Sequence, residues 1–109
     1  MTEIEEINTT LAHFTAERNW AQFHNSKDLA LAISIEASEL NELFLWKSAD
    51  SVNVEKLKEE LADVFTFCFL LAQKHNLNVK QIVLEKIQVN AQKYPVEKAK
   101  GSANKYDQL

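Results

Sequence analysis

The sequence predicts an all-α protein, an antiparallel four-helix-bundle-like domain, and three observations carry that expectation. Its 109 residues include one Gly and one Pro, Gly101 and Pro95, both beyond residue 92. The first 92 positions therefore lack the residues on which tight hairpins, β-sandwiches and glycine-rich phosphate loops depend. Apolar residues recur at helical spacing, as in Ile4, Ile7, Leu11 and Phe14. The segments between the periodic stretches are short, which sets successive helices antiparallel. A chain of this length fits a single domain, residues 1–109, with a tail over about 94–109.

Each helix has a legible start or stop. Thr2-x-x-Glu5 is a capping-box pattern that opens a first helix over about 3–18. The connection Asn19–Ser26 is rich in aromatic and polar groups, among them Trp20, Gln22, Phe23 and His24. Asn25 or Ser26 can cap a second helix that runs to about Lys47. A third helix covers about 54–75, and Asn76 suits the left-handed position that closes it. Asn78-x-x-Gln81 starts a fourth helix, which reaches about Lys93 before Pro95 ends it. The lysine-bearing remainder has room for one more helical turn.

The third helix reads Val-Phe-Thr-Phe-Cys-Phe-Leu-Leu-Ala over 64–72, apolar on every side. A helix of that kind must be covered all round, and four helices of this size leave little material to do it. A second copy of the chain is expected to cover part of it, as a homodimer or homotetramer. The same run is about half the roughly 20 residues a membrane span needs, so no membrane association is expected. The acidic start Met1–Glu6 lacks the basic and apolar regions of a signal peptide. A single cysteine, Cys68, can form no intrachain disulfide. A cytoplasmic protein follows.

Charge narrows the function classes. Residues 1–92 hold 8 Lys/Arg against 14 Asp/Glu, whereas residues 93–109 hold 4 Lys against 2 acids. An acidic body is a poor partner for polymeric nucleic acid, but acids gathered on one face suit divalent cations. The second helix carries the stripe Leu29, Ile33, Glu36, Leu40, Leu43, so Glu36 falls on the core line with Glu39 one turn on. On the third helix the expected seam is Leu57, Leu61, Val64, Cys68, Leu71, with Glu60 and Asp63 flanking it. Carboxylates so placed need compensation. Two from each of two antiparallel helices converge on one cleft, and an all-oxygen set of this kind points to Mg²⁺ or Mn²⁺. The Glu-x-x-His pairs of di-iron bundles are absent. Glu42, Glu55 and Glu59 read as a solvated face, His13 and His75 as surface residues, and Cys68 as a packed small hydrophobe.

Glu36-x-x-Glu39, a gap of twenty residues and then Glu60-x-x-Asp63 resembles the E-x-x-E…E-x-x-D signature of the all-α nucleoside triphosphate pyrophosphohydrolases, the MazG-like superfamily. Residues 17–47, 59–72 and 86–106 are similar to its dCTP pyrophosphatase branch. The resemblance implies a Mg²⁺-dependent hydrolase that converts a (deoxy)nucleoside triphosphate to the monophosphate and pyrophosphate. It also implies a helical bundle assembled as a dimer or a dimer of dimers. By position, Glu36, Glu39, Glu60 and Asp63 match the family's metal ligands, and Trp20, His24 and Trp46 match residues that enclose the base. Asn90, with Lys86, Lys93 and Tyr94 beside it, matches the block that reaches the nucleotide. Phe67 stands where members often carry Tyr. The competing expectation is a non-catalytic helical nucleotide sensor or protein-interaction module, which would release no pyrophosphate.

Overall fold

The computed structural model describes Met1–Leu109 and contains only helices and turns. The long helices are α1 (Glu3–Glu17), α2 (Ser26–Glu42), α3 (Val54–Lys74) and α4 (Val79–Lys93), followed by a single turn, α5 (Val96–Ala99). Short 3₁₀ turns occupy Ala21–Phe23, Ala49–Ser51 and Tyr106–Gln108. The chain divides into two compact units, Met1–Leu77 with α1 to α3 and Asn78–Leu109 with α4 and α5.

The caps lie where the side chains suggested. The Thr2 hydroxyl accepts from Glu5 N–H at 3.1 Å while the Glu5 carboxylate accepts from Thr2 N–H at 2.8 Å, satisfying two orphan donors at once. Asn25, Asn53 and Asn78 each accept a backbone N–H three residues on, from Asp28, Lys56 and Gln81. Asn76 takes the left-handed conformation (φ 54). Asn76 N–H then donates to Gln73 O and Leu77 N–H to Ala72 O, the pair of bonds that closes a helix in a Schellman motif.

In the first unit α3 lies along α2 and touches α1. The Ser26 hydroxyl and His75 Nε2, 2.8 Å apart, tie the start of α2 to the end of α3, so these two helices run antiparallel as expected. Gln73 Nε2 donates to Asn8 Oδ1 at 3.0 Å and bridges α3 to α1. Leu29, Leu70 and Ala72 are the buried apolar residues. Thr15 is buried beside them, its hydroxyl donating to the Leu11 and Ala12 carbonyls.

Two expectations are corrected. The second helix ends at Glu42, not near Lys47. From Leu43 the bonds shorten to an i→i−3 pattern, Leu43 to Leu40, Phe44 to Asn41 and Leu45 to Glu42. Trp46 then turns left-handed (φ 62), which no α-helix can continue through. The α3 seam is also rotated. Its inward line is Leu57, Glu60, Val64, Phe67 and Leu71, while Cys68 is exposed and Leu61 is 36% exposed. Both stripes have 3-4 spacing, so periodicity alone could not choose between them.

In the second unit α4 buries none of its residues, and Ile82, Val83 and Ile87 are all exposed. The tail returns to the end of the same helix. Tyr106 sits edge-on to Tyr94 at 6.1 Å, and Lys93 Nζ lies 5.0 Å from the Tyr106 ring centroid.

Candidate functional site

The rotated seam changes the standing of one acid. Glu60 lies on the inward line of α3, as Glu36 does on α2, so the two core stripes each carry a carboxylate at the contact between the helices. Carboxylate oxygens of Glu36, Glu60 and Asp63 all lie within 4.8 Å of one another. Glu39 stands beside them, close enough to perturb both Glu36 and Glu60. Glu36 and Glu60 are half-buried, whereas Glu39 and Asp63 are exposed. The four predicted acids thus form one group.

No lysine or arginine forms an ion pair with any of them; the chain's ion pairs are Arg18–Glu17, Lys27–Asp28 and Lys58–Glu55. Glu36 Oε2 and Glu60 Oε2 are buried without a hydrogen-bond partner. Glu36 is accordingly raised from the ordinary 4.5 to about 7, chiefly by a shared hydrogen bond with Glu39 and then by burial. The charges of Glu39, Asp63 and Glu60 push it the same way. That shared bond needs a proton on one carboxyl, so in the ionised site these oxygens face each other unrelieved. Glu60 is raised as well, by burial first and next by the charge of Glu39.

A raised carboxyl binds its proton more tightly in the folded protein than in the unfolded chain, so its contribution to stability is complete below about pH 4.5 and lost as pH rises through about 7. In chelator, the fall in Tm between pH 5 and pH 8 is expected to be smaller for Glu36→Gln than for the wild type. Equal falls in the two proteins would show that Glu36 is not repelled by its neighbours.

A cleft of about 570 Å³ opens beside this group, between the end of α2 and the start of α3. Glu39 and Glu60 line it together with Glu42, Glu59, Lys47 and Lys56. Glu42 and Glu59, which the sequence suggests as a solvated face, thus share the cleft with two lysines. Only the approach of the helix ends brings these residues together, though the E-x-x-E spacing of Glu39 and Glu42 was visible.

The aromatic residues are dispersed. Trp20 follows α1, is 43% exposed, and sits edge-on to Phe14. His24 is half-buried and lines a separate cavity of about 120 Å³ with Thr15, Leu29, Leu70, Gln73 and Lys74. Trp46 is 94% exposed. None of the three lines the acidic cleft. Within the second unit, Lys86 and Asn90 share a groove with Ile82, Val83 and Ile87, and Lys93 and Tyr94 gather around Tyr106. His13 and His75 are exposed, as expected.

Residues 31–109 match the MazG-like family. The chain belongs to that family. This MazG-like chain is 40% identical to mouse dCTP pyrophosphatase 1 over 114 aligned positions, which cover 97% of it and 67% of the mouse protein. The human dCTP pyrophosphatase 1 is 36% identical over the same shares. Among solved structures, a pyrophosphatase from Archaeoglobus fulgidus superposes with a TM-score of 0.82 at 33% identity, covering 87% of this chain and 94% of the other.

Proposed function

We propose that this MazG-like protein is a Mg²⁺-dependent nucleoside triphosphate pyrophosphohydrolase. Its substrate is a deoxynucleoside triphosphate, dCTP foremost, which it cleaves to the monophosphate and pyrophosphate in a cytoplasmic house-cleaning role. Glu36 and Glu60, each with a buried oxygen that no donor reaches and grouped with Asp63 within 4.8 Å, carry the reading. The names of the relatives support the choice of nucleotide.

The acids fit a hard divalent cation. All the donors are oxygens, they lie close together, and no ion pair relieves their mutual repulsion. Glu36, Glu60 and Asp63 would hold Mg²⁺, with Mn²⁺ a substitute of the same class, and Glu39 completes the group. Bound there, the ion supplies positive charge that makes a triphosphate tolerable in an acidic cleft and stabilises charge on the departing pyrophosphate. Glu39, exposed at the cleft, is the residue assigned to orient the attacking water and accept its proton. The new bond joins water oxygen to the α-phosphorus, and the anhydride bond to the β-phosphate breaks.

Trp20, His24 and Trp46 are assigned to the base, and Lys86, Asn90, Lys93 and Tyr94 to the remainder of the nucleotide. For Trp46 a structural observation supports the assignment. A bulky residue in the left-handed region costs about 1 kcal/mol relative to Gly, and a ring 94% exposed repays none of it by packing. Such strain is retained where it serves a ligand. Trp46→Gly is expected to raise Tm while raising KM for dCTP; a lower Tm would mean that the ring packs in the folded protein.

Self-association belongs to the same proposal. Within the first unit Leu31, Ile35 and Phe65 are 54%, 59% and 58% exposed, a set of large apolar side chains that a second copy would cover. We read residues 1–109 as one functional domain completed by a second copy.

The direct test is a panel of deoxynucleoside triphosphates assayed for pyrophosphate with Mg²⁺ and with chelator. Release of pyrophosphate that requires Mg²⁺ and is fastest with dCTP is the expected result. Nucleotide binding with no product would replace the enzyme by a sensor.

A further inference from the structure

The end of α1 is built to hold one aromatic ring in place. Asn19 is left-handed (φ 53). Its N–H donates to Ala16 O at 3.1 Å and the Trp20 N–H to Thr15 O at 3.0 Å. This paired closure folds the chain back so that the residue after the turn meets an apolar residue of the last helical turn, here Trp20 against Phe14. The Trp20 carbonyl in turn accepts from Phe23 N–H at 2.9 Å. The backbone of Trp20 is thus pinned on both sides.

The side chain is pinned too. The Phe14 and Trp20 rings stand edge to face, centroids 5.6 Å apart at 74°. Phe14 is itself clamped by Arg18, whose guanidinium lies 3.8 Å from the ring centroid and donates to the Phe14 carbonyl at 3.1 Å. Yet Phe14 is 42% and Trp20 43% exposed, so this ordered pair is not core. A flat ring fixed in advance and left open to water suits a planar ligand, because much of the ordering cost of binding has already been met.

We infer that Phe14 and Arg18 are positioning residues that set the Trp20 indole to receive the nucleobase, an inference resting on the base-enclosing role proposed above for Trp20. Arg18 holds Phe14, and Phe14 holds the indole. The adaptable end of the site then lies at Trp46, which has no comparable support. An edge-to-face pair alters an equilibrium by roughly two- to tenfold, which sets the size of the effect.

In a Trp46→Phe background, used for the fluorescence alone, Trp20 is the sole tryptophan, and its emission anisotropy reports its mobility. With dCMP as the ligand carrying a base and inorganic pyrophosphate as the ligand without one, both with Mg²⁺, Phe14→Leu is expected to weaken dCMP about three- to tenfold. Pyrophosphate affinity should hold, Trp20 anisotropy should fall, and KM for dCTP should rise with kcat unchanged. Phe14→Tyr, which keeps the ring, should restore dCMP affinity. Unchanged dCMP affinity in Phe14→Leu, or an equal loss for both ligands, overturns the inference. Trp20→Leu separates the two layers. If it leaves dCMP binding intact, the base-enclosing role fails and the brace with it; if it weakens dCMP while Phe14→Leu does not, the brace alone fails.

Discussion

Glu60→Gln is expected to lower kcat by at least about a hundredfold and, at pH 8 in chelator, to raise Tm. The two effects have one cause. Glu60 occupies the inward line of α3 with a buried oxygen that no donor reaches, so ionised Glu60 opposes the fold until a cation arrives. The amide has the same shape and no charge, which relieves the metal-free protein. It is also a poor ligand for a hard cation. Loss of a residue behind a metal ligand already costs 10- to 100-fold in comparable sites, so loss of a ligand lies at or beyond the upper end. Glu39→Gln should behave differently, losing turnover while keeping most of its Mg²⁺ affinity by calorimetry, because the group of Glu36, Glu60 and Asp63 stays intact. Full activity in Glu60→Gln, or a Tm lowered in chelator, would remove the basis for a metal centre at the contact of α2 and α3.

Under the self-association proposed above, Phe65→Glu is expected to give a monomer of much lower Tm. On α3, Leu61, Phe65 and Cys68 form an outward apolar stripe with spacings of four and three, and Phe65 is 58% exposed. On α2, Leu31 and Ile35 are 54% and 59% exposed, one turn apart. Covering a Phe side chain contributes about 1.5–3 kcal/mol, and a carboxylate at that place must also be desolvated without a partner. Sedimentation of the wild type should give a dimer or tetramer, and of the variant a monomer. An unchanged mass in Phe65→Glu would move the interface away from this stripe.

Much of the fold was legible because its signals are local. Thr2 with Glu5, Asn25, Asn76 and Asn78 cap or close helices through side-chain and backbone bonds spanning five residues or fewer, and such geometry is written in the residue types. The α2 stripe was legible for the same reason, since Leu29, Ile33, Glu36, Leu40 and Leu43 all face inward. The helix end at Glu42 was not. No Gly or Asn follows it, and a Trp takes the left-handed position at a cost that local propensity opposes.

The candidate site divides along the same line. The chain alone determined that four acids would lie at two i, i+3 spacings on consecutive helices, and the family likeness of those spacings was present before any coordinates. Only the tertiary structure decided which stripe of α3 turns inward, and so that Glu60 lies on the contact line and Cys68 outside it. It alone brought Lys47 and Lys56 to the same cleft as Glu39 and Glu60. The physical reason is that α3 is apolar nearly all round. Its hydrophobicity leaves several rotations almost equal, and the choice falls to packing against α2, a contact between residues far apart in the chain.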